Sequence, residues 1–506
     1  MGFRDLLDSI RLNWGVHPEG HKTLSNACAI EVMPLPDRLV LPLAQHIGAP
    51  GRVIVAPGDR VLRGQILAEA AGVVSAPLHA PASGRILDIG DYPVPHPSGL
   101  TAPAVILEPD GRDEVVDFVR CEEPLTLSAE EIGKRVAAAG IVGLGGATFP
   151  AAVKLSLGRR SPIHTLLLNG GECEPYLTCD DRVMREAPAQ VVEGARLMAR
   201  ALGATRIVIG IENNKPEAIA AIQLAALPCA EISVRALPAR YPMGSEKQLV
   251  EFLTGEEVPA GGLSAEIGVV VHNVGTAAAI SHALRSGEPL MSRILTVSGA
   301  AVRRPANLRV AIGTPVADVL AHCGGLKREA ARLVMGGPMM GMILPGDMVP
   351  VVKGSSGILA LTADEIPGSD PSACIRCASC VDVCPIGLMP MEMAARIRAG
   401  KADTAVDIGL KDCIGCGTCA YTCPAHIPLS HYFSYAKGTL AAAERSRLKN
   451  EAVKKLTTAR SERLAREAEE KKAAAARRKA ERETAKRKAA EAAAQDASAG
   501  GQEVTA

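Results

Sequence analysis

Between residues 46 and 112, apolar positions come in short runs. Val53, Val55, Val61, Ile66, Leu67, Val73, Val74, Ile86 and Ile89 are separated by Gly58-Asp59, Gly64-Gln65 and Gly84. β-Branched residues cut by turn formers predict a domain of short strands. From 125 to 290 the period changes. Leu127–Ala139 reads as a helix opened by the capping signature Ser128-x-x-Glu131. Thr165–Leu168 and Arg206–Ile211 read as apolar strands, and Val191–Leu202 and Pro216–Ala226 as helices between them. Alternating strands and helices predict an α/β domain. Residues 291–365 read as a smaller α+β unit. Its expected strands lie near Ile294–Val297 and Leu333–Met335, with a helix near Val316–Ala321. A helical stretch, Met391–Ala399, lies in residues 366–435. From 436 to 506 the chain is rich in Ala, Glu, Lys and Arg, with too few apolar positions for a long coiled coil. It predicts one long helix that frays into disorder.

The fold class is therefore multidomain α/β and α+β, with residues 1–45 as an N-terminal segment rich in turn formers. A length of 506 residues suits several such domains. The formal net charge of +1 gives no reason to propose a nucleic-acid partner, but its distribution is uneven. Ala441–Ala490 carries 17 Lys and Arg against 8 Asp and Glu, so a basic tail follows an acidic body. Five Phe, six Tyr and one Trp leave few rings for a planar cofactor to stack on. Phe149, Tyr176 and Tyr241 stand out for that reason. Residues 1–20 lack a secretory apolar core, and no run of about 18 uncharged apolar residues occurs. The reducing cytosol is the expected compartment, with membrane association through a partner or the tail.

Eight of the 14 cysteines fall in two runs. Cys374, Cys377, Cys380 and Cys384 form the first, and Cys413, Cys416, Cys419 and Cys423 the second. Each run is C-x2-C-x2-C-x3-C-P. Three closely spaced thiolates wrap one 4Fe–4S cubane, and the fourth, before proline, reaches the other. The spacing assigns Cys374, Cys377, Cys380 and Cys423 to one cluster. Cys384, Cys413, Cys416 and Cys419 go to the other. Paired zinc modules fit two identical four-cysteine runs poorly. Cys28, Cys121, Cys173, Cys179, Cys229 and Cys323 have no ligand spacing and read as small buried hydrophobes.

The segment Gly140–Pro150, with Gly143, Leu144, Gly145 and Gly146, lets backbone N–H groups approach an anion at a helix start. Lys154 follows one turn later. Asn169-Gly-Gly-Glu172-Cys-Glu174-Pro-Tyr176 follows a strand, where α/β sheets place ligands. Tyr241-Pro-Met-Gly244-Ser-Glu246-Lys and Val271-His-Asn273-Val-Gly-Thr276 come later. These four segments, in this order, resemble the flavin- and NADH-binding subunit of respiratory complex I. The resemblance implies that Gly143, Gly145, Gly146 and Lys154 hold the phosphate of a non-covalent FMN. It implies that Asn169, Glu172, Gly244, Glu246, Asn273 and Thr276 line the flavin, and that Glu174 faces NAD(H) as the candidate catalytic group. Leu144, Gly171, Ser245 and His272 depart from the family's loop arginine, aspartate, first glutamate and first asparagine.

The stretch VAPGDRVLRGQILAEA…APASGRILDI resembles a biotinyl/lipoyl barrel-sandwich domain. No lysine occurs between Lys22 and Lys134, so a carrier role is not expected. The order GVHP…K, the lysine-free barrel, GLGGATFP, NGGECEPYLTCDDR, VVHNVGTA, MGGPMMG and the two cysteine runs resembles the RnfC/RsxC family of the Rnf/Rsx ion-translocating electron-transport complex. That resemblance implies a β-grasp-like 291–365 domain and a peripheral oxidoreductase and translocase subunit. It would lie on the cytoplasmic side of the inner membrane, between NAD(H), FMN and two 4Fe–4S clusters. Integral and peripheral subunits of the same complex would be its partners, with ferredoxin reached indirectly. A relay with a degenerate flavin site, and a soluble diaphorase subunit, stay open as alternatives.

Overall fold

The computed structural model describes residues 13–96, 98–366 and 370–499. The chain divides into two compact units, Met1–Ser434 and Tyr435–Ala506.

In the first unit, Gly84–Pro93 pairs antiparallel with Thr101–Pro109, which pairs in turn with Leu39–Pro42. Arg60–Val61 completes this four-stranded sheet. Arg52–Val53, Ile66–Glu69 and Leu78–His79 form a second sheet of three strands. Inward residues such as Leu39, Leu41, Val61, Leu67 and Ile86 are fully buried. Val73 and Val74 lie outside any strand, and Val73 is exposed. The segment expected to stand apart as residues 1–45 is shared out. Leu39–Pro42 belongs to this barrel, whereas Ile30–Val32 pairs in parallel with Ala306–Ala311 of the third domain. Strand pairing, which joins residues distant in sequence, overrides the local turn-rich composition.

The α/β domain has a four-stranded parallel sheet in the order Ile232–Leu237, Arg206–Glu212, Thr165–Gly170, Val269–Asn273. The order turns back between the last two strands. At such a switch point two carboxyl ends diverge and leave a crevice. Ser128 accepts from the Glu131 N–H while the Glu131 carboxylate accepts from the Ser128 N–H, so the expected cap starts helix Ala129–Ala138. Proline opens helices Pro188–Leu202 and Pro216–Ala226, where its missing N–H costs nothing. Helix Pro188–Leu202 crosses helix Val274–Ser286 at Gly194. A Cβ there would stand 1.9 Å from the Ala277 carbonyl oxygen.

The third domain is a mixed six-stranded sheet ordered Ile30–Val32, Ala306–Ala311, Ser292–Ser298, Gly357–Leu361, Arg332–Met335, Met342–Ile343. Helix Val316–His322 contributes Val316, Val319 and Leu320 to the core of this domain. The cysteine-bearing region is built from short helices, among them Ser379–Asp382, Pro390–Arg398 and Thr418–Tyr421. A helix, Leu429–Ala499, ends the described chain. Residues 440–496 of that helix lack a buried position. The expected fraying beyond residue 499 falls outside the described residues.

Candidate redox centres

The two cysteine runs are interleaved in space. Cys374, Cys377, Cys380 and Cys423 line one cavity, together with Arg376, Met391 and Arg398. Cys384, Cys413, Cys416 and Cys419 line a second, with Leu388, Met393 and Phe433. Each run therefore contributes its fourth cysteine to the other's cavity. All eight are free thiols. Burial pushes the Cys380, Cys416 and Cys419 thiols upward, and neighbouring sulfurs of the same quartet add to this. Four crowded sulfurs that resist ionisation alone suit a cationic iron core, which supplies the missing positive charge. Polar groups already reach some of them. The Arg376 N–H approaches Cys374 Sγ at 3.4 Å, and the Leu388 N–H approaches Cys384 Sγ at 3.3 Å. Ser379 Oγ lies 3.4 Å from Cys377 Sγ, and Thr418 Oγ1 lies 3.3 Å from Cys416 Sγ. The first quartet is the more open, with Cys374 and Cys377 exposed, whereas Cys416 and Cys419 of the second are buried.

The four glycine- and amide-bearing segments meet at the sheet's switch point. The Leu144 N–H donates to Thr276 Oγ1, and the Leu144 carbonyl accepts from the buried Arg293 guanidinium at 3.0 Å. The glycine loop is thus clamped on both sides of Leu144. The Leu144 side chain is buried in the core, which accounts for an apolar residue at that position. Gly145 and Gly146 remain exposed at the mouth, and a Cβ on Gly145 would come within 3.0 Å of Asn273 Cβ. Asn169 Nδ2 donates to the Gly244 carbonyl, while its Oδ1 accepts from the Gly171 N–H. Asn273 caps helix Val274–Ser286 through the Gly275 and Thr276 N–H groups and donates to Asp180 Oδ2.

Several expected cofactor residues are engaged with the protein itself. Lys154 Nζ donates to Glu246 Oε2 at 3.1 Å and to the Val271 carbonyl at 2.6 Å. The helix that begins after Pro150 has only five residues, Ala151–Leu155. Glu172 accepts from the Asp180 and Asp181 N–H groups and caps helix Cys179–Glu186. Glu174 accepts from the Met339 and Met340 N–H groups, and its carboxylate packs where a Gly337 Cβ would stand. Burial pushes Glu174 up to about 7. Burial, then the Glu172 charge, pushes Asp180 up to about 7. His272, fully enclosed and next to Lys154, falls to about 3 and so stays neutral.

Tyr241 connects the crevice wall to the second quartet. Its hydroxyl donates to the Cys416 carbonyl at 2.8 Å. Tyr241, Val16 and Cys416 form one apolar cluster, with Cys173, Met339, Val383 and Ile414 packed on it. Gln248 Nε2 donates to the Pro385 carbonyl at 3.0 Å. The expected stacking role of Tyr176 takes another form: its ring lies on His21, with centroids 4.5 Å apart. The contacts of Lys22, Lys215 and Arg293 have no signal in the sequence, because their partners are main-chain carbonyls.

A glycine-lined crevice at the switch point of a parallel sheet, joined to two cysteine quartets, defines an iron–sulfur flavoprotein of the electron-transfer class. Four family models agree. A Nuo51 FMN-binding domain matches residues 136–282, and an RnfC barrel sandwich hybrid domain matches 10–112. An SLBB domain matches 294–343, and a 4Fe-4S dicluster domain matches 366–431. The RnfC protein of the ion-translocating oxidoreductase complex of Rhodobacter capsulatus is 50% identical over 446 residues, 88% of this chain and 86% of that protein. Its counterparts from Pseudomonas aeruginosa and Erwinia tasmaniensis are 43% and 42% identical over 85% and 86% of this chain. The matched region is 56% and 54% of those longer proteins. An NAD+-reducing [NiFe]-hydrogenase chain overlaps 64% of this chain, and 63% of its own length, at a TM-score of 0.44 and 19% identity. The chain belongs to the RnfC family of ion-translocating oxidoreductase complexes.

Proposed function

We propose that this chain passes electrons between NAD(H), FMN and two 4Fe–4S clusters, as a peripheral subunit of a membrane-bound complex that couples this transfer to ion movement. The reading rests most on the Tyr241–Cys416 contact, which ties the flavin-type crevice to one cysteine quartet. A bound flavin supplies the exchange between a hydride and single electrons, and 4Fe–4S clusters supply one-electron transfer. Cys374, Cys377, Cys380 and Cys423 would hold one cluster. Cys384, Cys413, Cys416 and Cys419 would hold the other. Gly143, Gly145, Gly146, Asn169, Gly244, Asn273 and Thr276 would frame FMN. Lys154, Glu246 and Glu172 support that frame through the contacts they make with each other and with the backbone. Glu174 commits both carboxylate oxygens to Met339 and Met340, so it shapes the crevice wall.

No helix among the described residues is long and apolar enough to cross a membrane. Attachment would come from other subunits of the complex, on the cytoplasmic side of the inner membrane. The basic helix would add to it, because each Lys or Arg near an anionic leaflet contributes about 1 kcal/mol.

The test is anaerobic purification with iron, sulfide, zinc and flavin analysis, followed by NADH titration. About eight irons and one FMN per chain are expected, with bleaching of the flavin band by NADH. Fewer than about four irons, or stoichiometric zinc, would refute the cluster assignment. A flavin that NADH leaves unbleached would remove NAD(H) from the reading. A relay without flavin is favoured by one observation, the capture of Lys154 by Glu246 and Val271. Full iron without flavin would establish that alternative.

A further inference from the structure

We propose that Lys22 is a positioning residue of the flavin crevice, acting from a segment outside the α/β domain. This rests on the flavin reading given above. Eight residues, 171–178, connect strand Thr165–Gly170 to helix Cys179–Glu186 and form one wall of the crevice. The carbonyls of Glu172, Glu174 and Leu177 turn to a single point, and Lys22 Nζ occupies it. The ammonium donates to them at 2.8, 3.0 and 2.6 Å. An ammonium has three protons to donate and nothing to accept, so this tripod satisfies it.

The loop has a reason to need such a group. Glu172 and Tyr176 both hold positive φ, 47° and 66°, which side-chain-bearing residues rarely adopt. Such conformations persist where surrounding contacts over-determine them. Three inward carbonyl dipoles repel one another unless a cation lies among them. A second lysine extends the same support. Lys215 Nζ donates to the Gly171 carbonyl at 2.8 Å while paired with Glu212. Lys215 comes from the α/β domain, whereas Lys22 is 150 residues away from Glu172 in sequence.

The path to Lys22 gives the contact a wider meaning. The Gly15 N–H donates to the Val383 carbonyl, one residue before Cys384. Val16 and Tyr241 exchange backbone hydrogen bonds at 2.9 and 3.0 Å. The Tyr176 N–H donates to the Gly20 carbonyl, and the His21 ring stacks on Tyr176. Residues 15–22 thus run from the second quartet, past Tyr241, to the underside of the loop that carries Glu172 and Cys173. One strap aligns the crevice wall and the quartet on the same backbone.

The experiment compares full-length wild type, K22M and K22R, purified anaerobically. Iron content, amide hydrogen exchange of residues 171–178 and FMN affinity by fluorescence are measured. K22M keeps the hydrophobic stem and removes the donors, leaving three carbonyls unpaired. Wild-type iron is expected, with loop exchange and FMN dissociation each raised at least about tenfold. K22R is expected between the two, because a planar guanidinium does not aim three donors at one point. K22M with loop exchange and FMN affinity within about twofold of wild type would overturn the proposal. If K22M loses its iron, K22R decides: faster loop exchange at full iron supports the proposal, and wild-type exchange refutes it. Wild type that binds no FMN would refute the flavin reading, while loop exchange in K22M would still decide the Lys22 contact.

Discussion

The Tyr241 hydroxyl donates to the main-chain carbonyl of Cys416 at 2.8 Å, in a buried position. Tyr241→Phe removes that donor and leaves the carbonyl unpaired. A buried acceptor without a partner costs about 1–3 kcal/mol. The expected result is full iron content, with cluster absorbance lost at a lower urea concentration than in wild type. An unchanged midpoint would mean that the contact does not hold the two parts together.

The interleaving of the cysteine runs has its own test. The triple variant Cys374→Ser, Cys377→Ser, Cys380→Ser is expected to keep about four irons, on the other quartet. In that background Cys384→Ser should lower iron further, and Cys423→Ser should not. The reverse pattern would show that each run closes on itself.

Gly145→Val places a branched side chain against Asn273, where a Cβ alone already comes within 3.0 Å. FMN content should fall, with iron content at the wild-type level. Retention of flavin in this variant would move the flavin away from the glycine loop.

Lys353 is fully buried, and its ammonium donates to the Pro77 and Gly140 carbonyls at 2.7 Å. Burial pushes its pKa down to about 7, below the unfolded value near 10.4. Below pH 7 it is charged in both states, and the cost of burying that charge is constant. Between about pH 7 and 10 the unfolded chain binds the extra proton, so this group makes stability rise with pH by up to about 1.4 kcal/mol per unit. Over that window the unfolding free energy of wild type should therefore rise relative to that of Lys353→Met. A difference independent of pH would contradict the assignment.

Removing the basic helix from residue 441 onward should leave iron and flavin contents unchanged. Co-sedimentation with vesicles rich in phosphatidylglycerol should weaken, and the wild-type binding should fade as salt rises. Equal sedimentation of both forms would assign membrane attachment to the rest of the chain.

The local signals in the sequence carried through well. The Ser128–Glu131 capping box, the strands around Leu166–Leu168 and Ile207–Ile211, and the helix opened by Pro216 need only neighbouring residues to be seen. The cysteine quartets were legible because their ligand spacing is itself local. Glu172 and Glu174 show where that ends. Their motif suggests groups facing a cofactor, yet one carboxylate caps a helix eight residues on and the other holds the Met339–Met340 turn. Lys22, Arg293 and Lys353 were illegible for a stronger reason. A lysine or arginine that binds carbonyls has partners of no particular residue type, so no pattern of letters marks the contact. The placing of Ile30–Val32 in the third domain's sheet is of the same kind, since any extended segment offers the same backbone groups.

The exchange of fourth cysteines between the two cavities bears on how the protein is made. The first cavity lacks a wall residue until the ribosome has passed Cys423, although its other three cysteines emerge some forty residues earlier. The second is complete at Cys419. Neither cavity can mature while the chain is still short, and both become whole within the span of a few codons. The 71-residue helix Leu429–Ala499 is then still to be translated. Iron–sulfur delivery is thereby confined to a late window, after every domain that surrounds the crevice has already been synthesised.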